Sequence, residues 1–217
     1  MKKIALLFSG CGHKDGAEIT EVVSLLVGLN QYKAKVLPFS LDYLVPVTNH
    51  LTKKTDNEKK RNMLEEAARI TRGEIHDLSS LVVRDFDALV IAGGFGAALH
   101  FSNWAEKGSQ CEVHEEVKRV IKEFYQQEKP IGAVCIAPVL LAKVLGSHKI
   151  NITLGDDEKV AAEVRKTGAV VETCPVDDYI TDRDHRIITT PAFMYDASYD
   201  QVFKGINALC KELVEMA

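Results

Sequence analysis

The chain lacks the features that mark membrane, secreted or nucleic-acid-binding proteins. No apolar run approaches the length of a membrane span. The opening run Ile4–Phe8, behind Lys2 and Lys3, is too short for a signal-peptide core, and acidic residues follow soon after. There is no excess of positive charge: 27 Lys and Arg stand against 31 Asp and Glu, for a formal charge of −4. Neither nucleic acid nor a membrane surface is therefore an expected partner. The five cysteines, Cys11, Cys111, Cys135, Cys174 and Cys210, are odd in number, scattered, and form no CxxC pair. That pattern excludes a disulfide framework and places free thiols in a reducing cytoplasm. Internal repeats and low-complexity linkers are absent, so residues 1–217 are expected to form a single domain. No metal site and no cofactor is expected.

What is present is an alternation of apolar strands and amphipathic helices, which implies an α/β fold with a mainly parallel sheet covered on both faces. Strands are predicted over Lys3–Ser9, Ala34–Phe39, Asp87–Ile91, Ile131–Val134, Ile150–Leu154, Ala169–Val171 and Arg186–Thr190, and Ile75–Asp77 reads as a short strand or an extended link. Ser40–Lys54 reads as a loop. Thr55-x-x-Glu58 is a capping-box pattern that predicts a helix running to Arg72, and Ser109-x-x-Glu112 predicts another through Phe124. Asp196 is placed to cap a last helix. In the first helix, Gly16 to about Asn30, residues Ile19, Val22, Val23, Leu25, Leu26 and Leu29 share one arc of the wheel. Glu18 falls inside that arc; Thr20, Glu21 and Ser24 fall outside it. Glu18 reads as a half-buried acid at a strand edge, or as the cap of its own helix.

The stretch Ile131–Leu145, IGAVCIAPVLLAKVL, carries the chemistry. A short apolar strand runs into Cys135, then Pro138 opens a helix that stops at Gly146. A lone ionisable atom at a strand-to-helix corner has the form of a nucleophile elbow, where helix N–H groups favour the thiolate. The alternative is a small buried hydrophobe. Gly93-Gly94, after another strand, present N–H groups suited to an oxyanion hole, or simply make a tight turn. Glu18, Gly93-Gly94 and Cys135 all fall at carboxyl ends of strands, where parallel sheets bind ligands. Cys174-Pro175-Val176-Asp177-Asp178 has no chemistry assignable from the residues alone.

Taken together, SGCGxxDGxEI (Ser9–Ile19), NxLxEAARITRGEI (Asn62–Ile75), GGFGAA (Gly93–Ala98), CIAP (Cys135–Pro138), CPVDD (Cys174–Asp178) and TTPAFM (Thr189–Met194) resemble the ThiJ/PfpI superfamily. More closely, they resemble its ElbB subfamily, described as enhancing lycopene biosynthesis and as an isoprenoid-biosynthesis protein with an amidotransferase-like domain. The resemblance implies a flavodoxin-like three-layer sandwich of the class I glutamine amidotransferase-like kind, and a homodimer. It also implies a Cys135 nucleophile supported by Glu18, with N–H groups of Gly93 or Gly94 and of Ile136 as oxyanion donors. The activity implied is a glyoxalase that turns glyoxal into glycolate without metal or cofactor.

One departure matters. Peptidase relatives carry His directly after the cysteine, where this chain has Ile136, and the region that offers a His in the deglycase-like branch reads Thr153-Leu154-Gly155. Without a triad histidine, peptidase and glutaminase readings weaken. His13, in the first loop, is better placed to reach the rim than His148. Glu18 is then the acid expected to shuttle the proton from a Cys135 hemithioacetal. Cys11 is a candidate resolving thiol or a plain turn residue. The alternative function is a redox-sensing or regulatory protein with an oxidisable Cys135, connected to isoprenoid metabolism.

Overall fold

Strand residues of the central sheet point alternately into two apolar layers, and this alternation builds the fold. The computed structural model describes residues 1–217. Its strands are β1 (Lys3–Leu7), β2 (Lys35–Ser40), β3 (Leu44–Thr48), β4 (Thr55–Asn62), β5 (His76–Asp77), β6 (Ala88–Ile91), β7 (Ile131–Val134), β8 (Asn151–Ile152), β9 (Val170–Val171), β10 (Ile180–Asp182) and β11 (Ile187–Thr190). Its helices are α1 (Ile19–Gln31), α2 (Met63–Ala68), α3 (Phe95–Leu99), α4 (Trp104–Lys107), α5 (Glu115–Gln126), α6 (Pro138–Leu145), α7 (Glu158–Arg165) and α8 (Tyr199–Met216). Seven strands form one sheet in the order β10-β11-β7-β6-β1-β2-β5, parallel except at β10.

Ile4, Leu6 and Phe8 of the first strand segment pack with Val22, Leu25, Ile206 and Leu209, on the side of α1 and α8. Ala5 and Leu7 pack with Val117, Ile121, Leu140 and Leu141, on the side of α5 and α6. Each of these side chains is essentially out of water, and full burial of one Val, Leu, Ile or Phe among them stabilises the fold by about 1.5–3 kcal/mol. The layers are those of the expected three-layer sandwich.

Three helix starts differ from the sequence expectation. Thr55–Asn62 is a strand, paired antiparallel with Leu44–Thr48, so both the predicted loop and the first half of the predicted helix become a hairpin. The true N-cap is Asn62, whose side chain accepts from Glu65 N–H, and the helix stops at Ala68. The hairpin wins because it is anchored at both ends. Arg61 forms an ion pair with buried Asp15 and reaches Glu66 at 3.3 Å, and Thr48 N–H donates to Asp15. Ser109 does not cap a helix; its N–H and hydroxyl both donate to Glu163 Oε1, at 2.8 and 2.6 Å. His114 caps α5 instead. Ser198, not Asp196, caps α8, with Gln201 completing the box. In all three cases a partner distant in sequence, or a better cap a few residues on, outcompetes the local pattern.

Candidate active site

Cys135 sits at the corner between β7 and α6 with φ at +60°. A non-glycine residue in this left-handed region costs roughly 1–3 kcal/mol, so the surrounding structure must enforce it. Two constraints do so here. Cys135 N–H donates to the Thr190 carbonyl of β11 at 3.0 Å. Pro138 at the first turn of α6 then commits the chain to helix at once. The sequence expectation of an elbow is met.

The acid beside the sulfur is Glu21 rather than Glu18. Glu21 is fully buried. Its Oε2 accepts from Gly93 N–H at 3.0 Å, and its carboxyl also faces the Cys135 thiol and the Phe193 amide. Oε1 is buried without a conventional hydrogen-bond partner. Burial first, then the charge of Glu18, pushes this carboxyl up to about 8. Glu18 is the N-cap of α1, where its Oε2 accepts from Glu21 N–H at 2.7 Å. Its own carboxyl is raised by partial burial against the opposing pull of those hydrogen bonds. The capping alternative for Glu18 therefore describes its contacts, while its side chain still borders the site.

The reason Glu21 escaped the wheel is geometric. The buried face of α1 runs through Glu21, Val22, Ser24, Leu25, Gly28 and Leu29. Ile19, Val23 and Val27 are each more than two-fifths exposed. The arc is rotated relative to its most apolar direction, because its start is turned toward the polar site rather than toward the core. The signal available in the sequence was the i, i+4, i+7 row Glu21, Leu25, Gly28, which continues an apolar stripe with an acid at its end.

Gly93 and Gly94 are required where they stand. A Cβ on Gly93 would lie 2.5 Å from Cys135 Cβ and 2.6 Å from Glu21 Oε2. Gly94 has φ at +93°, which L side chains avoid. As an oxyanion donor, Gly93 is corrected: its N–H is already committed to Glu21. The N–H groups of Gly94 and Ile136 are the ones that reach the sulfur. They draw the thiol toward ionisation, but burial and the neighbouring Glu21 carboxyl prevail and hold it well above the usual thiol range. The thiolate-favouring effect expected from the helix start is thus outweighed by desolvation.

The sulfur opens on a cavity of about 650 Å³ bordered by His13, Glu18, Phe95, Ile136, Phe193 and Tyr199, among others. His13 reaches it as expected, packed edge-on to His50 at 5.1 Å, with its pKa lowered by burial first and then by Lys14. His148 packs on Tyr125 beyond the C-terminal end of α6, so it does not join the site. Cys11 does not line the cavity; its thiol is raised by burial and by Glu66. The Cys174–Asp178 segment meets the site through its backbone carbonyls. Tyr195 O–H donates to the Cys174 carbonyl at 2.9 Å, and Thr190 O–H to the Asp178 carbonyl at 2.8 Å, bracing one cavity wall. TTPAFM likewise supplies the Thr190 carbonyl under the elbow and the Phe193 and Met194 walls. A larger open groove beside the β3–β4 hairpin is lined by charged residues and does not include Cys135.

The pattern of the DJ-1/PfpI family matches residues 14–190. The human protein "Glutamine amidotransferase-like class 1 domain-containing protein 3, mitochondrial" is 38% identical, over 99% of this chain and 83% of its own length. The zebrafish "ES1 protein, mitochondrial" is 30% identical, over 98% of this chain and 85% of its own. Among solved structures, an isoprenoid biosynthesis protein with an amidotransferase-like domain from Ehrlichia chaffeensis superposes with a TM-score of 0.94. It is 33% identical and covers 100% of this chain and 99% of its own.

Proposed function

We propose, from the premise that the chain belongs to the DJ-1/PfpI family, that it is a cysteine-dependent glyoxalase converting glyoxal and water to glycolate. The observation that carries this reading is the buried Glu21 carboxyl facing the Cys135 thiol at an elbow that opens on a cavity. With Glu21 ionised, its carboxylate takes the thiol proton as sulfur attacks one aldehyde carbon and returns it to the resulting alkoxide oxygen, giving a hemithioacetal and regenerating the carboxylate as base for the next step. The Gly94 and Ile136 N–H groups, which reach the sulfur, are the donors that would stabilise the oxygen as it develops charge. The proton on the sulfur-bearing carbon then passes through Glu21 to the neighbouring carbonyl carbon, which is reduced as the first is oxidised to a thioester. Water hydrolyses the thioester, releasing glycolate and restoring the thiol. Glu21 replaces Glu18 as the shuttle, because Glu18 spends its carboxyl on the helix start.

The test is glycolate formation from glyoxal by the wild type, Cys135→Ala and Glu21→Gln. The reading expects both variants to be inactive; activity surviving Cys135→Ala rejects it. A redox-sensing role has one observation in its favour. A Glu21 carboxyl protonated at neutral pH is a hydrogen-bond donor to an oxidised sulfur. Stoichiometric sulfinate at low peroxide, with negligible turnover, would favour that role.

All five cysteines are free, which supports a reducing compartment such as the cytoplasm. No helix is long and apolar enough to cross a membrane, while the curated relatives just described are called mitochondrial. Pairing of two copies is supported by the exposed stripe Ile19, Val23 and Val27 on α1.

A further inference from the structure

The cavity in front of Cys135 is far larger than glyoxal, a molecule of a few heavy atoms, and falls in the roughly 300–1,000 Å³ range of small-molecule sites. Its chemistry is one-sided. Three carboxylates, Glu18, Asp157 and Asp196, border it, and no lysine or arginine does. Five helices start near it, and helix N-termini would ordinarily favour anions. Those of α3 and α6 have no side-chain cap, and the Gly94 and Ile136 N–H groups there are turned to the sulfur itself. The other three ends are already occupied. Glu18 caps α1, Asp157 Oδ1 accepts from Lys159 and Val160 N–H at the start of α7, and Ser198 caps α8. Asp157 keeps its second oxygen free for a ligand.

The apolar part of the wall is aromatic and poorly covered. Phe193 and Tyr199 meet edge to face, with ring centroids 5.8 Å apart. Tyr199 is 70% exposed and Phe95 54% exposed, although both border the cavity. Ring faces set at a corner beside carboxylates attract organic cations through the ring quadrupole and direct charge together. Cys135 lies on the same cavity's lining, so a group held against these rings and carboxylates reaches the sulfur.

We propose that the preferred substrate of Cys135 is an α-oxoaldehyde carrying a cationic tail, an ammonium group on an apolar body that rests against Phe193 and Tyr199 and faces Asp157 and Asp196. The proposal rests on the glyoxalase reading for its chemistry, which is unchanged: sulfur adds to the aldehyde carbon, and the adjacent carbonyl carbon receives the proton. It adds a sign to the specificity. Anionic carbonyl compounds are excluded by the three carboxylates.

The test uses charge-matched thiol reagents on the whole protein. Rates of Cys135 modification by trimethylammonium-ethyl and sulfonato-ethyl methanethiosulfonate are read on the Cys135 peptide by mass spectrometry. Each reagent forms a mixed disulfide and releases methanesulfinate, so the ratio of the two rates cancels the ionisation of the sulfur itself. The ratio, relative to that of a free thiol, is expected to favour the cation at least tenfold. It should fall toward the free-thiol value in Asp157→Asn/Asp196→Asn; Asn is also a good N-cap, so α7 keeps its start. Tyr199→Ala should lower it as well. A ratio at or below the free-thiol value, or no modification of Cys135 by either reagent, overturns the proposal. Phenylglyoxals with para-trimethylammonium, hydrogen or para-carboxylate groups then report kcat/KM, expected to fall in that order. If none is turned over while the reagent ratio holds, the glyoxalase reading fails and the cation site stands. If glyoxal is turned over without charge preference, the cation site fails alone.

Discussion

Glu21→Gln separates the proton held by this site from everything else in the fold. The glutamine is isosteric and keeps an oxygen for Gly93 N–H, but it has no proton to lose. In the native protein, burial lifts the Glu21 carboxyl from 4.5 to about 8. At about 1.4 kcal/mol per pKa unit, this is a difference on the order of 5 kcal/mol between its protonated and ionised forms. The folded state binds that proton more tightly than the unfolded chain. The stability so contributed is complete below the ordinary carboxylate range and is lost as pH rises toward and through about 8. Urea unfolding of wild type and variant, from pH 5 to pH 8.5, gives a difference profile in which other titrating groups cancel. The wild type should lose roughly 4 kcal/mol relative to Glu21→Gln over that range. Parallel profiles would mean that Glu21 ionises normally, and the account of a buried proton between carboxyl and sulfur would be wrong. In wild type, glyoxal turnover should rise with pH through about 8, as the carboxylate that accepts the thiol proton forms.

Other outcomes follow from individual contacts. Gly93→Ala places a methyl against both Cys135 Cβ and Glu21 Oε2; it should cost about 1–3 kcal/mol in urea unfolding and abolish turnover. Glu18→Gln should lower stability by about 1 kcal/mol through the weakened cap of α1, and lower turnover much less than Glu21→Gln; equal loss would restore Glu18 as the shuttle. Arg61→Met strips the partner from Asp15, which is 3% exposed at its side chain, and should cost about 3 kcal/mol with the hairpin's backbone amides losing exchange protection. Light scattering of the purified chain should give twice the monomer mass, and Val23→Glu should halve it if the exposed stripe of α1 joins two copies.

Much of the molecule was legible because its cause is local. Continuous apolar runs such as Ile4–Phe8 and Ile131–Val134 are buried on both faces, and a sequence can state that much. Cys135 was legible for the same reason: the strand before it, Pro138 after it and Gly146 at the helix end are all neighbours in the chain. The hairpin at Leu44–Asn62 was not. TDNEKKRN pairs as a strand with help from partners such as Asp15, 46 residues from Arg61, and Ser109 gave up its cap for Glu163, 54 residues away.

The choice between two glutamates three residues apart is the sharpest case. Sequence by itself determined that an acid lies at the start of α1, beside a strand edge, together with a cysteine at a turn and two glycines. Which carboxyl meets the sulfur depends on the rotation of α1 about its axis. That rotation is decided by packing against β2 and α8 and by the Gly93 amide reaching Glu21. Helical periodicity specifies the relative angles of side chains, but only tertiary contact supplies the origin from which those angles are measured.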